Sequence, residues 1–430
     1  MAATVLFGPS PAPLVLINVC GSMGLLSDPS SGVSMLRMKA ATRMLNLALA
    51  CAIPALGGAE ETTANSATAT PADQAVPQSK FRDPDDGKFD ISTYLATPKR
   101  FLPVPIVITE PAIGYGGGIA GMFIRPRKDA GSEGFARPNI SIAGGFATEN
   151  GTWGAILGDS SHWMAERLQT LSAAAVGELH LDFYGLGQAS DSLDEAVSYQ
   201  LDFAMLLLQG NWKLDAKSPW SFGLRYVYSQ VEPKLEDEPQ FPGLADNIDM
   251  KISAPALVLE FDSRNSLFTP TRGMYAESSY MASRDELGAT EEFERFQQVV
   301  MGWLPLGDKV TLGLRGDYQW SSDGTPFFLR PYIKLRGVEA MRYQGDDMAS
   351  AELEARWQVR DRWSLVGAAG YGSARTDREL YSATRDVVSG AVGFRYLLAS
   401  KFGMHAGLDV GFSEDTTAIY IQVGNAWFRP

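Results

Sequence analysis

Between Val310 and Trp320 the chain reads Val-Thr-Leu-Gly-Leu-Arg-Gly-Asp-Tyr-Gln-Trp. Val310, Leu312, Leu314, Gly316, Tyr318 and Trp320 form one alternate set, and Thr311, Gly313, Arg315, Asp317 and Gln319 form the other. A period of two places these sets on opposite faces of a β-strand. The apolar set ends in aromatics, while the polar set mixes charge with glycine. A soluble sandwich would bury the apolar set. The mixed polar set is better suited to a crowded, wet interior, with the apolar set facing lipid and its aromatics at the membrane interface.

The same pattern recurs. Ala351, Leu353, Ala355, Trp357 and Val359 alternate with Glu352, Glu354, Arg356 and Gln358. Phe222, Leu224, Tyr226 and Tyr228 alternate with Gly223, Arg225, Val227 and Ser229. Met404, Ala406, Leu408, Val410 and Phe412 alternate with His405, Gly407, Asp409 and Gly411, and Trp427 reads as one more outward interfacial aromatic. Sixteen strands are expected, near 103–109, 113–124, 138–147, 151–160, 170–182, 198–211, 220–231, 251–262, 272–284, 291–304, 308–321, 349–359, 363–373, 386–397, 403–412 and 416–428. The stretch 291–304 alternates poorly. Lipid admits strands only as a closed barrel, because an open edge leaves backbone groups unpaired in hydrocarbon. The expected fold is therefore all-β, a transmembrane antiparallel barrel over 103–430. Its longest connections are 184–197, 232–250 and 322–348.

Composition excludes other classes. Glycine is 43 of 430 residues and the charged fraction is 20%, yet no run of apolar residues is long enough for a membrane-spanning helix. Two cysteines exclude a disulfide scaffold, and a net charge of −13 argues against nucleic acid as a partner. Upstream, the basic stretch from Met35 to Arg43, the apolar Met44 to Leu56 and the small residues Gly57, Gly58 and Ala59 read as a secretory signal. Residues 1–59 are accordingly a signal peptide behind an N-terminal extension, with Met35 or Met38 as alternative starts. Ala48 stands where a lipoprotein signal before Cys51 wants a large aliphatic residue. Residues 60–102 read as a periplasmic linker, largely irregular. Within it, Asp83-Pro84-Asp85-Asp86-Gly87 lacks EF-hand spacing and reads as a solvated turn.

Three segments resemble the BamA/TamA superfamily of outer membrane assembly barrels, the bacterial surface antigen family. Phe261-Asp262-Ser263-Arg264-Asn265 with Thr269-Pro270-Thr271-Arg272-Gly273 is similar to that family's periplasmic turn between its eighth and ninth strands. Leu335-Arg336-Gly337-Val338 resembles the arginine-glycine-aromatic motif of the sixth extracellular loop, and Ile419 to Phe428 resembles the C-terminal insertion signal. The resemblance implies a loop folded into the lumen. An arginine drawn inside needs a carboxylate, and Glu352 and Glu354 face inward on the next strand, Glu354 being the preferred partner. Val338 departs from the family aromatic, Gly370 stands where the family carries an inward aspartate, and 60–102 holds no POTRA pattern. The chain thus resembles a short branch with the barrel alone.

Pro103 and Pro105 lie in or beside the first strand, and proline cannot donate to a ladder. Two readings stand: these prolines weaken a seam against Ile419, Ile421 and Val423 of the last strand, or they merely end the linker. In the family such a weak junction is thought to be a lateral gate into the bilayer. The histidines offer no catalytic set. Ser172, Glu178, His180 and Asp182 are read as one inward face, but Ser172 and His180 would stand about 27 Å apart, and His405 and Asp409 about 13 Å apart. His162 falls in a periplasmic turn. No enzyme activity, cofactor or metal is expected. Two functions remain: an assembly or transport factor moving lipid or protein into or across the outer membrane of a Gram-negative cell, or a passive barrel serving as diffusion pore or surface antigen. Expected partners are outer membrane lipids and the barrel assembly machinery that would insert it; a homo-oligomer is compatible with the sequence.

Overall fold

The computed structural model describes residues 81–96, 101–125, 139–183, 197–235, 249–378 and 381–427. The signal-like segment, Cys51, most of the linker, most of the acidic connection after Leu235 and Phe428 lie outside them. Sixteen strands follow one another: β1 (Leu102–Ile108), β2 (Gly116–Arg125), β3 (Asn139–Thr148), β4 (Trp153–Trp163), β5 (Leu168–Phe183), β6 (Val197–Trp212), β7 (Trp220–Leu235), β8 (Met250–Asp262), β9 (Gly273–Ser283), β10 (Phe293–Leu306), β11 (Val310–Ser321), β12 (Asp347–Arg360), β13 (Trp363–Arg378), β14 (Tyr381–Ala399), β15 (Met404–Ser413) and β16 (Thr417–Val423). Each is hydrogen-bonded antiparallel to the next, in one sheet ordered β1 to β16. Among the described residues no ladder joins β16 back to β1. Among the described residues no helix is long and apolar enough to cross a membrane.

The two faces divide as the alternation on β11 requires. Leu314 is 57% exposed, whereas Asp317 is 4% exposed. On β7, Leu224 is 68% exposed and Arg225 is buried. The exposed face is therefore the apolar one. Trp163, Trp212, Trp220, Trp357 and Trp363 are all exposed at the edge where even strands end and odd strands begin. Trp153, Tyr280, Tyr318 and Tyr371 are exposed nearer the opposite edge. From Trp220 to Tyr228 the outward-facing alternate set of β7 covers about 27 Å at strand rise, close to the apolar band of an outer membrane barrel.

The buried side is not polar throughout, which corrects the expectation of a wet interior lined by charge. Across β1 to β8 it is mainly apolar: Ile108, Leu179, Leu201, Phe203, Val227 and Ile252 join one cluster with Phe328, Leu329 and Met341 of the β11–β12 connection. Charge concentrates on β9 to β15, with Glu277, Arg295, Asp317, Glu352, Glu354, Arg395 and Asp409 all buried.

Three local expectations are also overturned. On β5 the buried set is Ala173, Ala175, Leu179 and Leu181, so Ser172, Glu178, His180 and Asp182 belong to the opposite face. His162 lies within β4 rather than in a turn. The turn at Asp83 is not simply solvated: Arg362, between β12 and β13, receives Asp83 at 2.5 Å, Asp86 at 2.5 Å and Asp90 at 2.8 Å. Burial opposes ionisation of Asp90, but hydrogen bonds from Ser92, Arg362 and Ser400 outweigh it and hold the carboxyl well below the usual carboxylate range. The backbone of Ile91 also donates to Leu398 (2.9 Å), and that of Lys401 to the Ser92 hydroxyl (3.1 Å). The segment 81–96 is thus docked under β12 to β15.

Candidate functional site

The connection 322–346 turns back against the buried side of the sheet. Ile333 donates to Tyr343 O (3.0 Å) and Gly345 to Pro331 O (3.0 Å), pinching the segment into a hairpin. Ile333, Leu335, Val338 and Tyr343 pack on Met348, Ala374 and Val387, from β12, β13 and β14. Val338, standing where the motif has an aromatic, is buried in that cluster. Gly337 has φ +83°, and a Cβ there would stand 2.2 Å from the Phe412 backbone nitrogen on β15. Only glycine can both adopt this conformation and lie flat on the wall. Its N–H donates to the Tyr420 hydroxyl of β16 (2.7 Å).

This geometry delivers Arg336 into a set of carboxylates. Its Nε donates to Glu352 (2.7 Å), and its Nη1 donates to Glu354 (2.8 Å) and Asp409 (2.9 Å). Glu352 and Glu354 share a face because they are two apart on β12. Asp409 comes from β15, where it is also gripped by Arg395 of β14 at 2.5 and 2.8 Å. Small residues make the room: Gly370 lies opposite Glu352 and Gly393 opposite Asp409, and a Cβ on Gly393 would fall 1.9 Å from an Asp409 oxygen. Three carboxylates thus face two guanidiniums, all buried. Such a set holds together only while its members stay paired.

Sequence reading placed Arg336 with Glu352 and Glu354 but missed three members. Gly370 stands in place of the family's inward aspartate on β13, and Asp409 supplies the third carboxylate two strands beyond. Arg395 was not singled out. Trp427 was assigned to the outward aromatics, yet it is buried against Trp303 and its indole N–H donates to Glu352 (2.5 Å). The cause is Gly424: β16 ends at Val423, Gly424 has φ +87°, and the chain bends off the strand course. Asn425 then donates to Phe268 O (3.1 Å) in the β8–β9 turn. That turn is itself bound by Asn265, whose side chain accepts from the Thr271 and Arg272 N–H groups and donates to the Thr271 hydroxyl (2.9 Å).

At the other end of the sheet, Pro103 pairs with Gly121 and Pro105 with Ile119 of β2. A proline keeps its place in a ladder only where no donor is required of it, which turns the missing N–H groups of both toward β16. Ile419, Ile421 and Val423 pair with β15. Among the described residues, the Thr109 hydroxyl donates to Ile419 O (3.0 Å) between the two ends.

A sixteen-stranded sheet with a greasy exposed face, aromatic edges and a charged loop site defines the outer membrane barrel class. No protein-family model and no curated protein sequence matches the chain. Among solved structures, it is similar to CdiB from Escherichia coli (11% identity, TM-score 0.54, covering 75% of this chain and 62% of that one). It is likewise similar to CdiB from Acinetobacter baumannii (11%, 0.51, 75% and 59%). BamA from Haemophilus ducreyi lacking POTRA domains 1–3 matches at 12% identity with a TM-score of 0.49, covering 75% and 69%. The chain spans about three fifths of the two CdiB chains. Its fold is that of the two CdiB chains.

Proposed function

We propose that the chain is an outer membrane barrel of a Gram-negative cell that helps lipid or protein enter or cross that membrane, with a lumen plugged by the loop around Arg336 and an opening between β1 and β16. The observation that carries the reading is the placement of Arg336 among Glu352, Glu354 and Asp409, which ties a long loop to the buried side of the wall. Support comes also from the apolar packing of Phe328, Leu329 and Met341 against β5 to β8, which covers the apolar part of the buried side, and from the absence of a β1–β16 ladder among the described residues. A passive diffusion pore would need that interior wet.

Conductance across planar bilayers tests this. The wild type should be closed apart from brief openings, and Arg336→Glu should leak. A large, steady wild-type pore would defeat the plugged reading in favour of the passive one.

A further inference from the structure

Among the described residues no ladder joins β1 to β16, yet both sides of that seam are gripped at one end by the same short piece of the β11–β12 connection. On the β1 side, the Ala340 N–H points to Glu110 Oε1 at 3.4 Å, in the turn that follows β1. On the β16 side, Arg342 reaches Asp415 at 3.1 Å and the Tyr343 hydroxyl donates to the same carboxylate, in the turn that precedes β16. Between these grips, Met341 is a non-glycine residue at φ +65°, a conformation that persists only where surroundings enforce it. It is buried in the apolar cluster, with the Tyr199 hydroxyl 3.9 Å from its sulfur. Arg342 is additionally braced by Glu339 at 3.5 Å.

We infer that residues 339–343 are a clasp across the outer end of the seam, with Met341 as its peg, and that the seam opens when the Asp415 grip is released. This rests on the proposed opening between β1 and β16, and it assigns control of that opening to a loop segment separate from the Arg336 site. The clasp joins turn to turn without using strand hydrogen bonds, so it closes the seam without requiring strand pairing.

The test uses nitroxide labels at Val107→Cys and Ile421→Cys, one on each side of the seam, in full-length protein with Cys20 and Cys51 replaced by serine, reconstituted in lipid nanodiscs. Pulsed dipolar spectroscopy should give a short wild-type distance with a minor longer population. Asp415→Ala should raise that longer population about tenfold, Arg342→Gln should move it the same way, and Asp347→Asn, which breaks the Arg375 pair near the same rim at 3.0 Å, should leave it unchanged. Heat-dependent gel migration confirms folding, and should Asp415→Ala not fold, Arg342→Gln answers alone. A longer wild-type population that neither clasp variant changes, or that Asp347→Asn raises equally, overturns the clasp and leaves the opening intact. A single short distance in every variant overturns both.

Discussion

Replacing Arg336 by methionine keeps most of its length and removes its charge. In the wild type, three carboxylates (Glu352, Glu354, Asp409) face two guanidiniums (Arg336, Arg395), for a net formal charge of −1. Arg336→Met takes this to −2 and leaves Glu354 without its 2.8 Å partner on a buried face. Removing one member of a buried ionic group typically costs about 3–5 kcal/mol, because the remaining charge stays desolvated. Adding Glu354→Gln returns the net charge to −1 and should recover about 1–3 kcal/mol of that loss, a coupling expected of contacting groups. Urea unfolding in lipid vesicles, followed by tryptophan emission, measures both. Tolerance of Arg336→Met within about 0.5 kcal/mol, or simple additivity of the two substitutions, would refute a coupled buried charge set.

Close packing at the same place makes Gly337→Ala destabilising by at least about 2 kcal/mol, from the left-handed backbone and the clash with β15 together; the same unfolding assay reads it. Gly393→Ala should cost about 1–3 kcal/mol by displacing Asp409, and Asp409→Ala in the same chain should relieve part of it. Under β12 to β15, Arg362→Gln removes the cation shared by Asp83, Asp86 and Asp90, so limited proteolysis should cut within 81–96 faster than in the wild type while the strands stay protected. Glu110 gives a pH signature: although half-buried by area, its carboxyl is pushed up to about 7, chiefly by desolvation, with Glu339 adding to the shift and the N–H groups of Ala340 and Ala112 opposing it. Tyr332 also feels its charge. Between the ordinary 4.5 and about 7 the folded protein holds a proton that the unfolded chain has lost. This contribution therefore weakens stability as pH rises through that window and is level above it. Glu110→Gln should flatten the slope.

The strands were legible because apolar and polar residues segregate by parity on β7, β11 and β12. β10 was hard to read for a physical reason: its buried set, Phe293, Arg295, Gln297, Val299, Met301 and Trp303, mixes both classes. Alternation defines two faces but not which one is inside, and on β5 that choice went wrong. There the Leu179 and Leu181 face meets the apolar part of the loop, so Glu178, His180 and Asp182 take the exposed side. Arg336 with Glu352 and Glu354 could be anticipated from adjacent elements. Asp409 lies 73 residues from Arg336, and Arg362 lies 279 residues from Asp83; no local pattern announces such pairs. Trp427 was misplaced because strand parity was carried past Gly424, where the backbone turns.

The central claim is that the exposed apolar face of the sheet meets lipid while its opposite face, charged on β11, lies within. Single cysteines placed in turn from Val310 to Trp320, in a background lacking Cys20 and Cys51, measure this most directly through a membrane-soluble photoreactive thiol reagent. Labelling should rise at Leu312, Leu314, Gly316 and Tyr318 and fall at Thr311, Gly313, Arg315 and Asp317. Uniform labelling along the strand, or strong labelling at Arg315 and Asp317 with none at Leu314, would contradict it.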